Sequence, residues 1–326
     1  MTSPVDLRAT PWLTKLQDDA KSAYDAQGLP TRRLEGWRYA PTRTFGPFEN
    51  TPAAAGANPG ELPAVCGHRL VLVDGHLGAD RGDAEALDGL WIGGVSSVPQ
   101  DRSADVAAAL GQVAVPDGGF RALNARDLQN TVVIHLQGGT ALSQPLEVLC
   151  VSTSGNTSHP RLLVVAGEHA EGTIIERHLG AGWVNTVTEI ALSGGAQLCH
   201  IKTLEGQDEA HHVGTTSAQV GRDALLRSHL VALGGALGRT DLTVRLAGPG
   251  AACDLDGLFV PGDNQHLDQQ VVIDHASGQT TSGTFYKGVV DAGGLGGFVG
   301  RVLIGEGASG CASHQLNRNL LLSEGG

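Results

Sequence analysis

Apolar positions in this chain follow two regimes. Near the start, Leu13, Leu16, Ala20 and Tyr24 recur at helical spacing. Thr10 is placed to cap that helix, Pro11 suits its first position, and Gly28 followed by Pro30 supplies a stop. Residues 29–41 read LPTRRLEGWRYAP, two large aromatics among charges, which predicts either a docking face or a cover over the next domain. A stretch rich in Pro, Ala and Gly over 50–64 reads as a linker, dividing a helical region (1–64) from a second part (65–326). Short helices are predicted near 103–110 and 124–129.

From Thr131 the period changes. Short apolar runs cover 132–136, 146–152, 161–166, 173–178, 187–192 and 197–202. They continue through 225–233, 242–246, 255–260, 269–274, 284–290 and 298–304. Glycine, Asn, Asp or Pro separates them and no helical pattern intervenes, so βαβ units are excluded. A sandwich, a barrel or a β-solenoid remains. Polar Gln197, His200, Thr216 and Gln270 sit inside strand-like runs. Stacked coils tolerate such residues as ladders, so the pattern favours a mainly β chain built as an irregular parallel β-helix.

Composition agrees. Among 326 residues there are 47 glycines and only 4% aromatics, which suits many tight turns and stacked small side chains. A net charge of −12 disfavours nucleic acid and anionic membrane as partners. The opening residues lack the basic and apolar regions of a secretory signal, so a cytoplasmic location is expected. Five widely spaced cysteines (Cys66, Cys150, Cys199, Cys253, Cys311) offer neither a disulfide framework nor a zinc ribbon, and are read as small buried hydrophobes.

Several chemistries are excluded by motif. No Gly-Lys pair exists, so a phosphate loop is absent and this chain should not hydrolyse ATP by itself. Gly294-Leu295-Gly296 lacks the third glycine of a dinucleotide fingerprint and is read as a turn. His211-His212 would point to opposite faces of a strand and cannot easily share an ion. There is no GxSxG. Asp254 and Asp256 share a strand face with Asp263 and Asp268 nearby, a carboxylate set that could serve a β-helical carbohydrate-active enzyme. His266, His275, Cys311 and His314 are candidate metal ligands by residue type.

The order of several segments resembles the SufB/SufD family of the Suf iron–sulfur cluster assembly system, its SufD branch in particular. They are Leu29 to Pro41; Phe120-Arg121-Ala122-Leu123-Asn124 with Thr131-Val132-Val133-Ile134; Gln144 to Val148; and His159 to Leu163. Further on come Asp274-His275, Ser282, Phe285-Tyr286-Lys287-Gly288, Phe298-Val299-Gly300 and Gln315 to Leu322. The resemblance implies a right-handed parallel β-helix behind a small N-terminal helical region. It implies a non-enzymatic scaffold that pairs with a SufB-like subunit through the β-helix and works with a SufC-like ATPase. The cluster would assemble at the interface with SufB, with no cofactor intrinsic to this chain and a flavin sometimes in the complex. Phe285, Lys287, Phe298, Gln315 and Asn319 lie in the family-like terminal rungs and are the candidate interface residues. His275, Cys311 and His314 are the metal candidates. Family members continue into a Cys-Ser-His-Gly segment and a C-terminal helical domain that docks SufC. Neither is present here, so weak SufC binding is expected. A purely structural β-solenoid interaction module is the bland alternative.

Overall fold

The computed structural model describes residues 11–56, 58, 60–63, 67–78, 87–126 and 131–323. The expected helix cap Thr10, the linker positions 57, 59 and 64, Cys66, and 127–129 of the second short helix lie outside the described residues.

Helix α1 (Pro11–Gln27) buries the predicted stripe, and Gly28, at a φ of +64°, closes it by donating to the Tyr24 carbonyl. Leu13, Leu16 and Ala20 pack with Val106, Ala109 and Leu110 on and beside the short α2 (Ser103–Ala109). A third helix, α3 (Gly119–Arg126), follows.

Strands β1 (His68–Val73), β2 (His76–Leu77), β3 (Leu90–Gly94), β4 (Thr131–Leu136), β5 (Leu146–Ser152), β6 (Thr157–Ser158) and β7 (Arg161–Ala166) open the β part. Regular long strands follow: β8 (Glu171–Gly180), β9 (Trp183–Leu192), β10 (Gln197–Gly206), β11 (His211–Val220), β12 (Leu225–Ala232) and β13 (Leu237–Leu246). The last are β14 (Ala252–Phe259), β15 (His266–His275), β16 (Thr281–Val290), β17 (Leu295–Ile304) and β18 (Ala312–Leu321).

They form two nine-stranded sheets. One runs β18-β16-β14-β12-β10-β8-β5-β1-β2; the other runs β17-β15-β13-β11-β9-β7-β4-β3, with β6 beside β9. Pairing is parallel except β1 with β2 and β3 with β4. The chain alternates between the sheets, making a β-solenoid of about seven turns. From β4 onward, register partners on successive turns lie from 26 residues apart (Glu171 and Gln197) to 31 (Thr281 and Ala312).

The core is the narrow lumen between the sheets. Ile174, Ile190, Leu198, Leu226, Val244, Leu255 and Ile273 are buried there, one set per turn. Because the side-chain period is two, the alternate residues face out. On β4 and β7 the outer face is buried as well: Val133, Leu163 and Val165 pack under α1 and α2. The N-terminal region is tied there by buried polar bonds. Glu189 accepts from the Gly111 and Ala114 amides and pairs with Arg161 at 2.7 Å, both side chains being inaccessible to solvent.

The aromatic segment divides. Trp37 packs inward, stacked on Phe120 at 5.5 Å, with the Arg239 guanidinium 3.7 Å from its ring centre. Tyr39, two residues on, is 81% exposed. Among the described residues no helix is long and apolar enough to cross a membrane.

Candidate functional site

Two regions gather functional side chains: the last turn of the solenoid and a polar layer buried in its lumen.

In the last turn, β17 is bonded only to β15 and β18 only to β16 among the described residues, so each sheet ends on a one-sided strand. Leu295, Leu303, Ile304, Leu320 and Leu321 are exposed there. Phe285 and Lys287 point outward from β16, with Phe285 43% exposed. Phe298 turns inward and packs on Tyr286, ring centres 4.7 Å apart. Gln315 reaches into the lumen over Gly300, where a β-carbon would sit 1.4 Å from its amide nitrogen. Asn319 accepts from the Gly288 amide at 3.0 Å and donates to Asn317 at 3.0 Å. The five residues therefore share the last two turns but face two ways: Phe285 and Lys287 outward, the other three into the lumen.

The metal candidates are spread in the same way. His275 is fully buried, one nitrogen 2.7 Å from the Thr280 hydroxyl and the other 2.9 Å from the Ser282 hydroxyl. Cys311 lies 3.3 Å from the same Thr280 hydroxyl. His314 is exposed on the outer face of β18, and His266 is on the outer face of the other sheet. Among the described residues no three His, Cys, Asp or Glu side chains are grouped to hold an ion. Asp254 and Asp256 do share the outer face of β14, where Asp256 is 3.1 Å from His229. Asp263 is exposed in the turn after it, and Asp268 faces out of the opposite sheet and pairs with Arg239. These carboxylates form no single set.

The lumen layer lies in the middle turns and escaped the sequence reading apart from His200, His212 and Thr216. Its centre is Glu176 on β8. One carboxylate oxygen lies 2.7 Å from His178 and 2.9 Å from the Lys202 ammonium. The other lies 3.0 Å from His200 and accepts from Thr188 at 2.9 Å. Four contacts fill the four lone-pair sites of one carboxylate. Register explains the grouping: Glu176 and Lys202 are Cα partners on adjacent strands, with His178 and His200 each two residues away on the same inward face. Lys202 also donates to Thr186, whose hydroxyl lies 3.4 Å from His212. The space for the ammonium comes from Gly214, where a β-carbon would lie 3.1 Å from the Lys202 nitrogen and 2.6 Å from His212.

Electrostatics follow from burial and pairing. Burial alone would push the Glu176 carboxyl up, but Lys202 and the two histidine hydrogen bonds hold it well below the usual carboxylate range. Burial depresses His178, and depresses His212 further with help from His178 and Lys202, so both imidazoles stay neutral. Burial pushes the neighbouring Cys150 thiol up, which keeps it protonated and a poor nucleophile. A cavity of about 30 Å³, room for one or two waters, touches Cys150, His178 and His212. The layer is a neutral, nearly closed hydrogen-bond network, equipped to fix the register of the turns and to accommodate very small polar molecules only.

Sequence comparison identifies the fold's family. Residues 149–326 match the family model for the SUF system FeS cluster assembly SufBD core domain. An iron–sulfur cluster assembly SufBD family protein of Mycobacterium leprae is 28% identical over 224 residues, 66% of this chain and 57% of that protein. A SufBD family protein of Mycobacterium tuberculosis strain H37Rv is 28% identical over 315 residues, 92% of this chain and 70% of its own. The iron–sulfur cluster assembly protein SufD of Escherichia coli is 26% identical over 311 residues, covering 91% and 71% respectively. The chain thus spans between 57% and 71% of the length of these relatives. With the matched model covering most of the solenoid, the chain belongs to the SufBD family of iron–sulfur cluster assembly proteins.

Proposed function

We propose that this chain is a non-catalytic scaffold subunit of iron–sulfur cluster assembly that pairs with a SufB-like subunit through the last turn of its solenoid. The observation that carries this reading is the one-sided β17 and β18 among the described residues, with Leu303, Ile304, Leu320 and Leu321 exposed along them. A partner strand laid on each edge satisfies backbone groups that are otherwise left to water, and covers the apolar side chains. Iron and sulfide are cargo of the assembled pair, not resident cofactors of this chain. Any flavin belongs to the complex. The ATP-driven step falls to a SufC-like ATPase, since this chain has no phosphate loop. Phe285, Lys287, Phe298, Gln315 and Asn319 flank or support the proposed edges, and the cytoplasm is the compartment that suits the work.

Co-expression with a SufB-like and a SufC-like subunit, followed by affinity purification and iron and sulfide analysis, tests the reading. The expected result is a stable pair with the SufB-like chain, lost in L303D/L320D. A chain that stays monomeric beside the SufB-like subunit refutes the scaffold reading.

A further inference from the structure

A separate surface lies where the N-terminal segment crosses the outer face of the second sheet. A groove of about 630 Å³ runs there. Glu35, Arg38 and Tyr39 form one wall, and the outward residues His266, Asp268 and Gln270 of β15 and Leu295, Val299 and Arg301 of β17 line the rest of it. Leu295 is 61% exposed and Val299 48%, so these two apolar side chains are open to solvent within the groove.

The segment that walls it is out of keeping with the molecule in charge, and two guanidinium groups, those of Arg38 from that segment and Arg301 from β17, line the groove itself. The chain carries −12 overall, yet residues 29–45 hold four arginines, Arg32, Arg33, Arg38 and Arg43, against the single acid Glu35. All four are accessible or partly so, and among the described residues none has an ion-pair partner. Arg38 instead lies over the exposed Tyr39 ring. The acid nearest the groove floor, Asp268, is already committed to Arg239. The segment is held rigidly as well: Trp37 is clamped between Phe120 and Arg239, and Phe45 and Phe48 are buried. Rigid, solvent-exposed Arg and Tyr beside open apolar side chains is the composition of an interface hot spot.

We propose that this groove docks an acidic amphipathic segment of a partner protein, its apolar side chains on Leu295 and Val299 and its carboxylates on Arg38 and Arg301. The surface is the outer face of the last turn, distinct from the strand edges assigned to pairing above. A nucleic acid fits less well, because the remainder of the molecule repels a phosphate chain.

Fluorescence anisotropy on the full chain tests this with three labelled probes: a peptide alternating leucine and glutamate, the same peptide with lysine for glutamate, and oligothymidylate. The acidic peptide is expected to bind, and to bind more weakly as salt rises. An exposed guanidinium–carboxylate contact is worth up to about fivefold in affinity, so R38Q/R301Q should weaken binding about tenfold, and Y39S should weaken it too. All three positions are exposed, so circular dichroism should be unchanged. No binding of the acidic peptide, equal binding by wild type and both variants, or preference for oligothymidylate would each overturn the proposal.

Discussion

Replacing Lys202 by methionine keeps most of the side chain and deletes its charge, which isolates the ion pair at the centre of the lumen. At 2.9 Å and an effective dielectric constant of about 20, the attraction to Glu176 is about 6 kcal/mol before desolvation is charged against it. What the variant exposes is not that sum but the penalty of a buried carboxylate without its counter-ion, about 3–5 kcal/mol. The pH dependence should change sign with it. In the wild type the Glu176 carboxyl is held below its unfolded value, so its contribution is present above about pH 4 and is lost as pH falls below that. In K202M, burial is no longer opposed by the ammonium, so the carboxyl rises above its unfolded value. Stability then falls as pH rises, and the deficit against wild type is smaller near pH 5 than near pH 8, by about 1 kcal/mol or more. Urea unfolding followed by circular dichroism across that range measures both effects. The double variant E176Q/K202M, with no charge left, should recover part of the loss. A K202M deficit below about 1 kcal/mol, or a pH slope parallel to wild type, would show that Glu176 does not depend on Lys202.

Gly257→Ala should lower the melting temperature, because a β-carbon there falls 2.1 Å from the ring of Tyr286, which is buried and cannot retreat; overpacking of this kind costs about 1–3 kcal/mol. Unchanged melting would mean the lumen has slack at that turn. Arg239→Ala removes the cation under Trp37 and strands Asp241 and Asp268, so tryptic cleavage at Arg32, Arg33 and Arg38 should accelerate about tenfold through local opening while cuts within the strands do not. Burial pushes the Cys253 thiol up to about 12, leaving a thiolate fraction of about one in ten thousand at pH 8, so iodoacetamide should spare Cys253 until the chain is unfolded in urea, as peptide mass spectrometry would show.

The parallel solenoid was legible because steady glycine punctuation and missing helical periods left few other architectures. Strand lengths were less legible. The runs over 173–178 and 242–246 are the apolar halves of the ten-residue strands Glu171–Gly180 and Leu237–Leu246, and His211–Val220 was signalled only by Thr216 and the His211-His212 pair, with no apolar run marked over it. The cause is the lumen chemistry: inward positions such as His212, Gly214 and Thr216 break the apolar alternation that marks a strand. The same effect hid Glu176, His178 and Lys202. A carboxylate, an imidazole and an amine two residues apart look like a solvated face until register sets Glu176 beside Lys202. Spacing alone could have suggested it, since the His-x-Lys of β10 falls one turn, 26 residues, after Ile174-x-Glu176. The Trp37–Tyr39 pair was ambiguous for another reason: Trp37 covers the β part, as one reading had it, while Tyr39 stays exposed.

The turn-by-turn register has a consequence for how the molecule comes apart. Each turn touches only the turns before and after it, so opening travels along the stack like a zipper and starts where a turn has one neighbour. Among the described residues the β17–β18 turn is such an end, while the first turns are clamped by α1, α2 and the Arg161–Glu189 pair. Amide protons in β17 and β18 should therefore exchange first, with protection rising toward β8. A subunit seated on the last turn then acts as the missing neighbour. Its presence would be recorded as slowed exchange several turns away, in strands it never touches.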